Sequence, residues 1–356
     1  MSPVIIFIYF YLIILNYILA VRVKRSVHVE LFSYVFIIFL MGFNTDCADY
    51  KDYLYFYEEQ DYPITFEIGY TYLADFFSSV GVSFPVFRFF CFLFSSFILL
   101  MSIKKIVNNY HLFLFFYLSF SVILDTVQFR NTIGSSFLFA SIVTLTSNKK
   151  FFSLVLFLLS VLFHYSFIVF LPMFFYNKII GLFYGRMKIP SCILVIISLL
   201  IGVSGFLVDS FSLIVSQYVS EAKTAYVAPK MLSLLYLLFP YITYYVISHM
   251  FNYFMRIKHT NRIIIVYYKL ILCICILLIF YSPILIFSRD FLRVYKDVTW
   301  EIAVCVTLFL LYRKYFCKMI LYKRIVMASF ILYLLWIVIG QYWPGYKEIL
   351  LGNLLA

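Results

Sequence analysis

The chain is a succession of apolar runs, each close in length to a membrane-spanning helix and separated by short polar breaks. The runs lie near 3–21, 27–43, 84–103, 110–124, 131–146, 151–163, 166–177, 190–208, 231–250, 264–287, 297–312 and 325–341. A helix needs about 20 predominantly apolar residues to cross the hydrocarbon core of a bilayer. The predicted fold class is therefore all-α: a polytopic helical membrane protein with about 12 transmembrane helices. These helices form a single integral membrane domain over residues 1–356.

The composition excludes an ordinary soluble domain. Hydrophobic residues make up 65% and charged residues 12% of the chain, against about 45–50% and about 25% in soluble proteins. The first run is not predicted to be a cleaved signal peptide, because its basic residues Arg22, Lys24 and Arg25 follow the apolar core instead of preceding it. It is predicted to be the first spanning helix, with its N-terminus outside.

The distribution of charge predicts the orientation. If the runs alternate across the membrane, the loops on one side carry 18 of the 28 Lys and Arg residues and a single acid, Glu30. An excess of Lys and Arg marks the cytoplasmic side. The net charge of +12 is thus an orientation charge and predicts no nucleic-acid partner. The pattern also requires a break at "FHYS" (163–166). If residues 151–177 formed one helix, every later loop would change sides and the basic loops would lie outside the cell. His164 is therefore predicted to lie at the outer face.

The largest polar segment, residues 44–75, is predicted to lie outside as part of a loop and short helix over 44–81. It holds seven tyrosines and only one basic residue, Lys51. Its eight acids are Asp46, Asp49, Asp52, Glu58, Glu59, Asp61, Glu67 and Asp75. Tyrosine rings and carboxylates together suit sugar binding, although an acidic solvated loop with interfacial tyrosines remains the alternative. The spacing of Asp46 and Asp49 is too common to indicate a metal, and the seven cysteines show no metal-ligand pattern. No metal and no cofactor is predicted.

Three groups of polar residues beside the apolar runs are candidates for a site. Asp125, Gln128 and Arg130 interrupt an apolar region, where ionisable residues are costly and by default indicate function. The alternative is an Asp125–Arg130 pair that only neutralises itself. His164 is flanked by aromatic residues, and a structural histidine is the alternative there. Segment 287–297 carries a cationic stripe on the acidic side of the membrane, formed by Arg289, Arg293 and Lys296. Either the stripe binds an anion or it is an interfacial segment with local ion pairs.

Five short elements occur in a fixed order. They are "GFNTDCADY" (42–50), "EIGY" (67–70), "QFR" (128–130), "FHYS" (163–166) with "LP" (171–172), and "FLRVY" (291–295). In this order and spacing the chain resembles the EpsG-like branch of the Wzy-type polysaccharide polymerases. The glutamate of "EIGY" lacks the proline that often follows it in the family, and "QFRN" lacks the glutamine or alanine often found after the arginine.

The resemblance implies a glycosyltransferase that joins oligosaccharide repeat units carried on undecaprenyl diphosphate. It implies a location in the bacterial cytoplasmic membrane, with the active site facing outward, and a chain-length regulator and a flippase as partners besides the lipid bilayer. Arg130, Arg293 and Arg289 would hold the diphosphate, and His164 would be the general base. The predicted substrate-binding residues are Gln128, Asp125, Glu67, Tyr70, Asp46 and Asp49. If His164 is not the base, Glu67, Asp46 and Asp49 are the next candidates.

Three rival functions are also compatible with the sequence. A flippase for lipid-linked oligosaccharide is expected to carry charges across the midplane, where the sequence offers essentially Lys269. A membrane O-acyltransferase would also use an outer histidine. To handle its donor it would need polar residues in the cytoplasmic half of the membrane, and the sequence does not show them. A non-catalytic scaffold is the third alternative.

Overall fold

The computed structural model describes residues 3–22, 24–45, 47, 49–60, 62, 66–187, 190, 193–194, 230–257, 261–285, 294 and 297–311. The regular elements within these residues are α1 (Pro3–Arg22), α2 (Val27–Phe43), α3 (Tyr50–Glu59), α4 (Ile68–Ser79), α5 (Phe84–Ile103), α6 (His111–Phe116), a π-helical turn (Tyr117–Ser121), α7 (Val122–Val127), α8 (Phe129–Thr146), α9 (Lys150–Phe163), a 3₁₀ helix (Tyr165–Phe175), α10 (Tyr176–Phe183), α11 (Lys230–Arg256), α12 (Arg262–Leu285) and α13 (Thr299–Leu311). All of these elements are helical, as the apolar runs predict.

Several of the helices are suited to cross a membrane. Four are long and apolar enough by themselves: Val4–Arg22, Phe84–Ile103, Tyr165–Phe183 and Arg262–Tyr281. Shorter apolar helices cover Val27–Phe43, His111–Val127, Lys150–Phe163 and Thr299–Leu311. The protein is thus a multi-pass membrane protein. The full count of about 12 spans stays a prediction, because run 325–341 and nearly all of run 190–208 lie outside the described residues.

The chain divides into two compact units, and the first contains residues 1–167 and 300–356. Helix α8 lies at its centre and packs against α5 and α9. Its sequence is rich in Gly, Ala, Ser and Thr, and nearly all of its side chains are buried. Small residues allow helix backbones to approach closely in a membrane protein. The low hydropathy of α8 therefore reflects burial inside the bundle.

Two serines join α8 to α9. The Ser141 hydroxyl donates to the Ser153 carbonyl at 2.7 Å, and the Ser153 hydroxyl donates to the Ser141 carbonyl at 2.8 Å. Both side chains are fully buried. Because these bonds satisfy polar groups that have no water to bind, they hold the α8–α9 hairpin in register.

The first unit has two distinct polar ends. At one end the start of α6 meets the α1–α2 turn, where the Ser26 amide donates to His111 Nε2 at 3.0 Å. Glu30, the one acid predicted on the cytoplasmic side, is buried there and accepts from Arg25 Nε at 3.4 Å. The helical path from His111 through the π-helical turn to Val127 is continuous. The start of α8, which follows directly after it, therefore lies at the opposite end.

The predicted outer loop is more ordered than the sequence suggested. Residues 44–81, predicted as a loop and a short helix, contain the two helices α3 and α4. Tyr50, Tyr53 and Tyr57 are buried along one side of α3, which is the spacing of an amphipathic helix face. The acids of this helix, Asp52, Glu58 and Glu59, are exposed on its remaining surface.

The second unit contains residues 168–299. Within it, α11 packs against α12, and α10 also packs against α12. The Tyr184 hydroxyl, just after α10, donates to Asn252 Oδ1 on α11 at 2.7 Å. The predicted cationic segment with Arg289 and Arg293 lies outside the described residues.

Candidate active site

A single carboxylate joins three of the sequence elements. Glu67 Oε2 accepts a hydrogen bond from Arg130 Nη1, and the two side chains form an ion pair. Glu67 Oε1 lies 2.9 Å from His164 Nδ1. The carboxylate side chain is only 6% exposed, whereas those of Arg130 and His164 are 20% and 19% exposed. The buried acid thus holds two partly accessible side chains beside each other.

Glu67 reaches these partners because of its place in the chain. It lies at the N-terminus of α4, where its carbonyl accepts from the Tyr70 and Thr71 amides at 3.0 and 3.1 Å. Its side chain makes no capping bond to its own helix, so both carboxylate oxygens are available for Arg130 and His164. The Ile68 amide donates instead to the Tyr165 hydroxyl at 3.1 Å. This bond connects the start of α4 to the turn that carries His164.

Two glycines allow the helices to meet at this point. A Cβ at Gly69 would lie 2.7 Å from the Leu162 carbonyl oxygen, so α4 approaches the backbone of α9 too closely for any side chain. A Cβ at Gly134 would lie 2.5 Å from Phe167 and 3.2 Å from the His164 Cβ. The glycine of "EIGY" therefore has a packing role, and so does the glycine four residues after Arg130.

The Arg130 guanidinium lies in an aromatic enclosure. It is 3.9 Å from the Phe66 ring centroid, 5.6 Å from that of Tyr53 and 6.0 Å from that of Tyr70. Arg130 Nε donates to the Tyr53 hydroxyl at 2.9 Å. Burial raises the pKa of the Tyr53 phenol, although Arg130 opposes this shift, so the phenol stays neutral at physiological pH. Planar stacking and a directed N–H bond fix the orientation of the guanidinium.

The charge on Glu67 decides the tautomer of His164. Burial alone raises the pKa of the Glu67 carboxyl, but the hydrogen bond with His164 and the charge of Arg130 outweigh burial and hold that pKa below its usual range. Glu67 is therefore ionised and can only accept. His164 must donate from Nδ1, and Nε2 is the ring nitrogen left to act on another molecule.

The other predicted residues are distributed more widely. Gln128 is the single residue between α7 and α8, and its Oε1 accepts from Asn131 Nδ2 at 3.0 Å. Asp125 is 1% exposed and accepts from Trp300 Nε1 at 3.1 Å. The carboxylate paired with Arg130 is thus Glu67, and not Asp125 as in the alternative interpretation of the sequence. Asp125 is therefore buried inside the bundle.

Tyr70 and Asp49 lie near the Arg130 enclosure. Tyr70 is fully buried and packs against the Tyr53 ring at 5.7 Å, so it supports the enclosure and offers no surface to a sugar. Asp49 directly precedes α3 and is half-buried. Asp46, Arg289 and Arg293 lie outside the described residues, so their roles stay predictions.

Arg88 is a residue that the sequence reasoning missed. It belongs to α5 and is only 2% exposed. It donates to the Asn44 carbonyl at 2.5 Å and to the Thr126 carbonyl at 2.7 Å. The guanidinium thus joins the end of α2 to the end of α7, two residues before Gln128. A charged residue one turn into an apolar run was the indication available in the sequence.

The described residues contain no group of three or more His, Cys, Asp or Glu side chains that could hold a metal ion. The Glu67 cluster itself offers an oriented imidazole, a guanidinium held by aromatic rings and a carboxylate that links the two. Such a cluster can remove a proton from a hydroxyl group and stabilise a nearby anion.

Fold and site together define a multi-pass α-helical membrane protein with a His–Glu–Arg cluster at one end of its helix bundle. A model of the EpsG family matches residues 27–348. Because the match covers most of the 356 residues, the chain belongs to the EpsG family, which is linked to exopolysaccharide biosynthesis. No curated protein and no solved structure matches the chain.

Proposed function

We propose that the protein is a polysaccharide polymerase of the bacterial cytoplasmic membrane. It transfers oligosaccharide repeat units from undecaprenyl diphosphate to a growing chain on the outer face of the membrane, and it releases undecaprenyl diphosphate. Membership in the EpsG family supports a role in exopolysaccharide biosynthesis. The observation that carries the catalytic part of the proposal is the Glu67 carboxylate, which binds His164 Nδ1 and Arg130 Nη1 together.

His164 is the proposed general base. An acceptor hydroxyl oxygen attacks the anomeric carbon of the donor, and its proton passes to His164 Nε2. The bond between the anomeric carbon and the diphosphate oxygen breaks, and its electron pair leaves with the lipid diphosphate. Glu67 keeps the Nδ1 proton in place and stabilises the imidazolium that forms, as the carboxylate does in a Ser–His–Asp triad. Glu67 is thus proposed as a positioning residue, and this role replaces the substrate-binding role expected from the sequence.

Arg130 is the proposed diphosphate-binding residue. Its Nε and Nη1 are occupied by Tyr53 and Glu67, and within the described residues no protein group accepts from Nη2. The aromatic enclosure holds the guanidinium, and with it the Nη2 N–H groups, in one orientation. Little reorganisation of Arg130 is therefore needed when an anion binds. Guanidinium groups suit phosphate oxygens. Arg289 and Arg293 stay predicted diphosphate-binding residues.

The product of a deletion strain tests the proposal. Lipid-linked saccharides are extracted from the native host after loss of the gene, and their length and sidedness are measured. A polymerase leaves single repeat units exposed outside, and polymer returns with the wild-type gene but not with His164→Ala. Single units retained inside indicate a flippase, and full-length polymer without acyl groups indicates an O-acyltransferase. Either of these results overturns the proposal, as does unchanged polymer.

The proposed orientation is tested separately by single-cysteine labelling in a cysteine-free background. Cysteines at 55 and 72 lie on exposed positions of α3 and α4. They are expected to react with an impermeant maleimide added from outside, whereas a cysteine at the exposed position 24 reacts only after the membrane is opened. The reverse pattern would place the His–Glu–Arg cluster in the cytoplasm, where a polymerase of this kind has no substrate.

A further inference from the structure

An apolar cavity of about 360 Å³ lies between α4, α5, α8 and α9 in the first unit. Its lining contains no nitrogen or oxygen of a side chain and consists of Leu73, Phe77, Phe90, Cys91, Phe94, Ile133 and Phe163. A cavity of this character cannot bind a sugar or a phosphate, because it offers them no hydrogen-bonding partner. It suits a hydrocarbon.

The cavity is adjacent to the His–Glu–Arg cluster along three helices. Phe163 directly precedes His164, and Leu73 lies on α4 beyond Glu67. Ile133 follows Arg130 by three residues on α8, which is about 4.5 Å along the helix axis. A molecule with its anionic head at Arg130 would therefore have its first carbon atoms at the cavity.

The mouth of the cavity lies on the side of α5 that faces away from the bundle. Phe90 and Phe94 are 46% and 54% exposed, although α5 is one of the long apolar helices. Ile133, on the inner side of the cavity, is 2% exposed. The cavity thus runs from the surface that meets lipid to the interior beside Arg130.

We infer that this cavity binds the first isoprene units of a polyprenyl phosphate or diphosphate. The inference rests on the proposed function and names the site for its lipid carrier. A dry cavity of about 150 Å³ lined by Leu, Ile and Phe accommodates one benzene molecule. By that measure about 360 Å³ accommodates two or three five-carbon units. The head group remains with Arg130, and the rest of the prenyl chain leaves past Phe90 and Phe94 into the bilayer.

Photo-crosslinking tests the site without any assay of polymer. The probe is an undecaprenyl monophosphate that carries a diazirine in its second isoprene unit, added to the full-length protein in nanodiscs of phosphatidylglycerol. Crosslinks are expected on Leu73, Cys91 or Phe163, and excess unlabelled undecaprenyl diphosphate should remove them. Crosslinks that fall only outside the cavity would overturn the inference. The same is true if a probe built on phosphatidylglycerol labels the cavity equally well, because the cavity would then hold bulk lipid.

Two tryptophan variants of α5 form a matched pair. Cys91→Trp fills the cavity, whereas Leu93→Trp places the same side chain at a position that is 40% exposed and outside the lining. The probe should label Cys91→Trp about tenfold less than wild type, because the indole prevents burial of more than one methylene group of the prenyl chain. Labelling of Leu93→Trp should equal that of wild type. Should Cys91→Trp not fold, Leu73→Trp on the outer helix α4 makes the same test. Equal labelling of a folded cavity variant and Leu93→Trp contradicts the inference.

The crosslinking and polymer measurements distinguish failure of the proposed prenyl site from failure of the proposed polymerase function. His164→Ala should lose polymer but keep the crosslink, because the imidazole is not part of the cavity. If deletion shows that the protein is not a polymerase while competed crosslinks remain in the cavity, the prenyl site stands without that function. If Cys91→Trp makes polymer at the wild-type rate, the function stands and the site is wrong.

Discussion

His164 Nδ1 lies 2.9 Å from Glu67 Oε1, although the two residues are 97 positions apart in the chain. The contact forms because the first turn of α4 packs against the C-terminal end of α9, where Gly69 permits close approach. The same carboxylate pairs with Arg130. The proposed base and the proposed anion-binding group thus share one orienting residue, and changes to any of the three are expected to have distinguishable consequences.

His164→Ala is expected to lower the rate of polymer formation by about 10²–10⁴-fold, the usual contribution of a positioned base. His164→Gln can keep a hydrogen bond to Glu67 but cannot accept a proton, so it should be equally inactive. Polymer is measured by chain length and amount at equal membrane insertion. His28→Ala, at an exposed position on α2, is the matched control and should behave as wild type. Activity restored by glutamine alone would make His164 a structural or orienting group.

Arg130→Lys is expected to lower the rate by about 30- to 150-fold. An ammonium group cannot stack on Phe66, bond to Tyr53 and present a further N–H to phosphate at once. Loss of one charge-assisted bond costs about 2–3 kcal/mol, which corresponds to that factor in rate. Arg293→Lys is predicted to have a loss of similar size. Arg256→Lys, at an exposed position at the end of α11, is the control and should behave as wild type. Equal amounts of polymer from the Arg130, Arg293 and Arg256 variants would contradict the proposed anion site.

Gly69→Ala and Gly134→Ala are expected to destabilise the protein by about 1–3 kcal/mol each, the usual cost of overpacking. In both cases the new Cβ would lie within 2.7 Å of an atom of a neighbouring residue. Thermal unfolding of the purified protein in detergent measures the effect. Gly181→Ala is the matched control, because a Cβ at Gly181 would have no neighbouring atom within 4 Å. A drop in melting temperature as large at Gly181 would show that the close approaches are not the cause.

Glu67→Gln is expected to lower the melting temperature most at neutral pH. The folded protein holds the pKa of Glu67 below its usual range, so ionised Glu67 stabilises the fold above the ordinary glutamate pKa of about 4.3. That stabilisation is lost as the pH falls through the lowered pKa of the folded state. The difference in melting temperature between wild type and Glu67→Gln should therefore shrink on acidification below about pH 4. A difference that is constant from neutral to acidic pH would show that Glu67 is not the ionised partner of Arg130.

The sequence by itself determined the helices and indicated the candidate site residues, because both depend on local properties. Apolar runs of membrane-spanning length become helices wherever they occur in lipid. The break at "FHYS" followed from the distribution of basic residues, and α9 indeed ends at Phe163, directly before His164. Glu67, Arg130 and His164 each stand out in the sequence as polar residues within short elements.

Only the tertiary structure decided which of these residues meet. Asp125 is five residues from Arg130, but the turn at Gln128 directs Asp125 to Trp300 and leaves Arg130 to Glu67, which is 63 residues away. The buried positions of Tyr70 and Arg88 likewise depend on how α4, α5 and α7 pack. Hydropathy reports how one segment partitions into lipid, whereas a side-chain contact depends on the approach of two backbones distant in sequence. At this site that approach is set by the missing side chains of Gly69 and Gly134.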